Sequence, residues 1–141
     1  MEYRQFGDDY VVRLDRGEEV VSCLSEICSR EGIRLGMVQG LGAADRVVIG
    51  LYDVGSRIYH KTTLEGPMEI TSLAGNISRK DGAPYLHLHI NVCDQQMHVL
   101  GGHLNECRIS ATAEIFIRSM AGEVGRRLDD AVTGLNLYQF D

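Results

Sequence analysis

The chain has 141 residues, 44% of them hydrophobic and 24% charged, with a formal net charge of −6. That length supports one domain with a real core and is short for two. The acidic balance lacks the basic footprint by which nucleic-acid binders usually show themselves. The arginines are scattered, the lysines are only Lys61 and Lys80, and the adjacent basic pair Arg126-Arg127 is followed closely by Asp129 and Asp130. No apolar run approaches the roughly 18 residues that span a bilayer. The opening MEYRQFGDDY is polar and acidic, unlike a signal peptide. None of Cys23, Cys28, Cys93 and Cys107 forms a CxxC pair, so the expectation is a cytoplasmic protein with reduced thiols.

The chain begins with strand-like residues at Tyr3–Phe6 and Tyr10–Leu14, separated by a Gly7-Asp8-Asp9 turn. Val20, Val21, Leu24, Ile27 and Cys28 then recur at helical spacing and define one long helix with a single buried stripe. Asp15 and Glu18 read as its capping box, and Gly32 as its terminator. From Arg34 the period changes to two. Strands are predicted near 35–41, 46–52, 57–64, 69–78, 85–93, 97–100, 103–111 and 114–117. Gly55-Ser56, Lys80-Asp81-Gly82 and Asp94-Gln95-Gln96 supply turns. Residues 122–133 are predicted to hold a short helix, and 135–140 a returning strand. The expected architecture is α+β, a mostly antiparallel sheet with one main helix packed on it, in a single domain covering 1–141.

The segment Tyr85-Leu86-His87-Leu88-His89-Ile90-Asn91-Val92 alternates strictly. Leucine, isoleucine and valine face the core, while Tyr85, His87, His89 and Asn91 share the other face. A hairpin turn centred on Gln95 would set His87 opposite His103 and His89 opposite Gly101. Cross-strand neighbours lie about 4.5–5.5 Å apart, so three imidazoles could converge on one ion at about 2.0–2.1 Å from each nitrogen. A register slip of one residue would turn His103 to the opposite face. Three histidines without a fixed fourth ligand form an open, catalytic type of site. The expected cofactor is one divalent ion per subunit held by His87, His89 and His103, with zinc first and iron, nickel and copper also open to imidazole. His60 and His98 fall outside this face. Gly36–Ala43 lacks the spacing of a nucleotide-binding loop.

Several segments in order are informative together. They are Gly40-Leu41-Gly42-Ala43, Gly66 to Ile77 (GPMEITSLAGNI), Tyr85-Leu86-His87-Leu88-His89, Gly101-Gly102-His103-Leu104 and Ser110-Ala111-Thr112-Ala113-Glu114-Ile115. The chain resembles the plants and prokaryotes conserved (PPC) domain family over nearly its whole length. The resemblance implies a compact, largely antiparallel α/β domain that assembles as a homotrimer. In plant members the domain follows an AT-hook and the proteins bind AT-rich DNA. Prokaryotic members are described as DNA-binding by that association. The fold is also similar to acetolactate decarboxylase, whose zinc-binding HxH pair and later histidine would fall on His87, His89 and His103. This sequence has no Arg-Gly-Arg-Pro core, the element that reads a narrow minor groove.

A metal site of this kind usually recruits a carboxylate. Glu69 and Glu114 lie in the family-like segments and are the candidate catalytic acids; Glu106 is a further acidic residue near the hairpin. Arg108 and Arg118 could orient an anion or form surface pairs. Two functional readings follow: a trimeric metal-binding module in DNA-linked regulation, and a metal-dependent lyase- or hydrolase-like enzyme acting on a small oxygen-rich molecule.

Overall fold

The structure, a computed structural model, describes residues 1–140. Strand β1 (Glu2–Phe6) pairs with β2 (Asp9–Asp15), and α1 (Val20–Arg30) follows. Next come three long strands and a shorter one: β3 (Gly36–Asp53), β4 (Ile58–Lys80), β5 (Ala83–Cys93) and β6 (Val99–Ser119). The tail forms a separate hairpin of β7 (Gly125–Asp129) and β8 (Leu135–Gln139). The main sheet runs β1-β2-β6-β3-β4-β5, and β6 also pairs with β5. The ring β3-β4-β5-β6 therefore closes on itself, with β6 as the strand shared by every part of the sheet. The expected α+β architecture is present, with α1 as its helix.

The helix buries Val20, Leu24, Ile27 and Cys28 on one stripe, as the spacing predicts. They join Leu14, Leu73, Ile77, Leu88, Ile90, Ile115 and Ile117 in one core. Each such Leu or Ile contributes about 1.5–3 kcal/mol by leaving water. The helix start differs from the expected capping box. Glu19 is the N-cap, accepting from the backbone N–H groups of Val21 and Ser22, and also from Cys107 N–H on β6 at 3.1 Å. Glu18 instead reaches back to Asp15 N–H at 2.8 Å. The cap thus fixes the helix to the sheet as well as starting it.

Three further expectations are corrected. Strands expected as separate pieces merge: 35–41 with 46–52, 57–64 with 69–78, and 97–100 with 103–111 and 114–117. Bulges at Gly40/Gly42 and Ala44/Arg46 bend β3 against its neighbours without ending it. Residues 122–133 form β7 and a turn, not a helix. Val124, Leu128 and Val132 repeat at a helical interval, but Arg126 is held by β4 and β8, and that long-range anchoring overrides local propensity. Finally, the β5–β6 turn is centred on Gln96, giving Cys93↔Val99 and His89↔His103. The Asp94 carboxylate accepts from the backbone of Gln96 and His98, and Met97 adopts φ 64°. This five-residue loop moves the register by two, which leaves every side chain on its expected face.

Candidate metal centre

His87 and His89 project from β5 on the face that alternation assigns them, and His103 from β6 directly opposite His89. His87 is paired instead with Asn76 of β4. The ring centroids lie 5.3 Å apart for His87–His89, 5.2 Å for His87–His103 and 5.5 Å for His89–His103. One ligand nitrogen from each ring lies within 4.8 Å of the other two. Tetrahedral coordination at 2.0–2.1 Å brings such nitrogens to about 3.4 Å, a closure that rotation of the rings supplies. The donor set fits a borderline metal ion: three imidazoles, with no thiol or carboxylate in the cluster among the described residues.

Burial sets the electrostatics. Desolvation first, then the neighbouring His103, Arg126 and His89, holds the His87 imidazole below its usual pKa of 6.5. Desolvation and then His89 do the same to His103. Two of the three rings are therefore biased toward the neutral form that ligates metal. Cys107 is buried, and desolvation with nearby carboxylates pushes its thiol up to about 12. Cys93 ends β5, its sulfur 3.5 Å from that of Met97 in the turn.

The histidines form one wall of a cavity of about 510 Å³. Glycine keeps the floor low. A Cβ at Gly50, the residue paired with His103, would strike the Tyr59 hydroxyl, and one at Gly101 would strike the Asn91 amide. Tyr59 meets the His103 ring edge-on at 6.3 Å and accepts a hydrogen bond from Asn105 at 2.7 Å. Tyr85, on the histidine face, also lines the cavity. Arg126, Leu135, Asn136 and Leu137 of the tail hairpin also line the cavity, with Arg126 bonded to Asn76, the cross-strand neighbour of His87.

The two candidate acids are not brought to this cavity. Glu69 pairs with Cys93 and Ala43, while Glu114 stands between Leu41 and Arg13 on an exposed sheet face. Glu106 pairs with Arg46, Arg108 with Asp45 at 2.7 Å, and Arg118 with Asp9 at 3.0 Å. His98 faces Asp94, and His60 lies opposite Leu51 on β3. Sequence reasoning missed Tyr59, Gly50 and the tail hairpin. The unread signal was the Arg126-Arg127 pair lying before the apolar alternation Leu135-Asn136-Leu137.

Comparison with known proteins agrees with this architecture. The chain is similar to a candidate DNA-binding protein from Bacteroides thetaiotaomicron, at 30% identity and TM-score 0.96, covering 99% of this chain and 96% of that one. It is similar to a metal-containing protein from Archaeoglobus fulgidus, at 34% identity and TM-score 0.88, covering 99% and 97%. It is also similar to a plant- and prokaryote-conserved protein from Pyrococcus horikoshii, at 31% identity and TM-score 0.87, covering 99% and 95%. No curated protein matches the chain. The family model of the Plants and Prokaryotes Conserved (PCC, or PPC) domain matches residues 1–121, and the chain belongs to that family.

Proposed function

We propose that this protein is a metal-dependent PPC domain that binds one divalent ion per subunit, zinc first, through His87, His89 and His103, and presents it to a small oxygen-rich molecule. The observation that carries this reading is the convergence of three ligand nitrogens within 4.8 Å at the wall of a cavity of about 510 Å³. Such a cavity is of the size that small-molecule sites occupy. A zinc ion with three imidazole ligands polarises a carbonyl or lowers the pKa of bound water. The protein's part is to keep His87 and His103 neutral and half-buried, and to shelter the open side with Tyr59 and Tyr85.

The test is metal content. Purified protein is expected to hold about one zinc per chain, while the variants His87→Ala, His89→Ala and His103→Ala are expected to hold little. Equal zinc in all four proteins would sink the reading.

A second reading, DNA-linked regulation, is favoured by the description of the Bacteroides protein. Arg13, Arg30, Arg34, Arg46, Arg57, Arg108 and Arg118 are each paired with carboxylates, which leaves few cations for phosphate neutralisation. Retention on duplex DNA that falls steeply with salt would support it.

Assembly as a homotrimer is part of the proposal. Met37, Leu41 and Phe116, each at least half exposed, share one face of β3 and β6 with Val11 of β2. Light scattering that gives the mass of one chain would reject the trimer.

A further inference from the structure

The part of the cavity lining supplied by the tail hairpin is built around Arg126. Arg126 donates from Nε to Ser78 Oγ at 2.7 Å, from one terminal nitrogen to Asn136 O at 2.8 Å, and from the other to Asn76 Oδ1 at 2.9 Å. Its guanidinium lies 4.5 Å from the Tyr85 ring centroid and 4.3 Å from that of Tyr138. A guanidinium has five N–H donors, so this arrangement fixes its position and leaves donors to spare on a side chain that lines the cavity.

Among the described residues no carboxylate lies within 4.0 Å of Arg126, although seven other arginines each have one. Among the described residues no Asp or Glu lines the cavity, in a chain of net charge −6. All its anchoring partners are neutral: a hydroxyl, an amide, a carbonyl and two phenol rings. A half-buried, fixed cation whose described partners are all neutral, lining a cavity without a described acid, is arranged to receive an anion from outside.

We infer that the cavity takes a small carboxylic acid, with Arg126 holding its carboxylate beside the three histidines. The carboxylate class follows from the inventory of donors. Among the described residues there is one guanidinium, no lysine and no helix N-terminus on the walls, and the remaining surface is largely apolar: Leu51, Leu135 and Leu137. Phosphate carries more charge and is usually met by several backbone N–H groups or more than one cation. The inference rests on the reading of this cavity as a metal-bearing small-molecule site, but Arg126 acts on the ligand independently of the ion.

The experiment is calorimetric titration of the full chain, with and without zinc, using lactate, pyruvate and malonate. The parent is expected to bind at least one of them saturably. Arg126→Gln is expected to weaken that binding about tenfold or more, the worth of a hydrogen bond to a charged group, with zinc content unchanged. Leu135→Glu alters none of the groups bonded to Arg126 but places a competing carboxylate in the cavity, and is expected to weaken binding equally. No binding by the parent, or parent-like binding by both variants, overturns the inference. Displacement of the bound acid by an equal concentration of inorganic phosphate overturns the carboxylate assignment. Arg126-dependent binding by a protein that holds no zinc would support the inference and reject the metal reading alone.

Discussion

The two walls of the cavity are made by opposite means. The histidine wall is local: two neighbours on β5 at positions i and i+2, and a third on the adjoining arm of the same hairpin. Its geometry follows from strand pleat and register, and it lies within the residues that match the family model. The Arg126 wall lies beyond those residues and is assembled at long range, by bonds from β7 to Ser78 and Asn76 on β4 and to Asn136 on β8. The first wall is held by backbone pairing within the sheet; the second is anchored chiefly by the Arg126 side chain, with the Arg79 N–H to Val124 O bond and Arg57 on Asp130 as further ties. The difference predicts that the walls can be broken separately.

The largest expected effect is on the histidine wall. His103→Ala removes one of three donors and is expected to lower zinc affinity by more than a hundredfold, above the 10- to 100-fold typical of losing a supporting partner. Added zinc should raise the thermal midpoint of the parent by linkage and leave that of the variant almost unmoved. The tail hairpin should be unaffected, which amide exchange over residues 125–139 can check.

Arg126→Ala is the converse. Losing charge-assisted hydrogen bonds and two cation–π contacts should cost about 2 to 4 kcal/mol. The loss should appear as faster amide exchange in β7 and β8, since a hairpin attached by few contacts opens as its own unit. Zinc content should stay at the parental level. If zinc falls with Arg126, the walls are coupled and the distinction between them fails.

A smaller effect probes the floor between the walls. Gly50→Ala puts a methyl group where the Tyr59 hydroxyl lies. The obstacle is the end of a movable side chain, so the stability cost should be about 1 kcal/mol, at the low end for overpacking. The expected result is displacement of Tyr59 from beside His103, visible as a changed His103 ring signal in NMR.

The same division explains what was legible in the sequence. Parity in a strand survives errors in register, so His87, His89 and His103 could be placed on one face although the turn was centred one residue too early. The error arose at Met97, a non-glycine residue with φ 64°, stabilised by the Asp94 carboxylate; nothing in residue type alone marks that conformation. Arg126 was unreadable for a different reason. Its partners lie 48 and 50 residues earlier in the chain, and local spacing there imitates a helix. Glu69 and Glu114 drew attention by lying in family-like segments, but β4 and β6 are long enough to carry them away from the cavity.

The smallest expected effect concerns pH, and it separates the walls by charge. In the metal-free protein, the folded state holds His87 and His103 below the ordinary value of 6.5, chiefly by desolvation. Between the folded and unfolded pKa values the unfolded chain binds more protons, so stability rises with pH across that window. The benefit is complete above about pH 6.5 and is lost as pH falls through the depressed folded values. The thermal midpoint of zinc-free protein should therefore decline from pH 7.5 toward pH 5.5, and the decline should shrink in His87→Asn. The hydrogen bonds that anchor the tail hairpin to β4 involve no histidine, so amide exchange in the tail hairpin, corrected for the intrinsic pH dependence of exchange, should show no matching step. A step in both regions would mean that protonation of the histidine wall is transmitted to the hairpin through the Arg126–His87 repulsion, and the two walls would then have to be treated as one electrostatic unit.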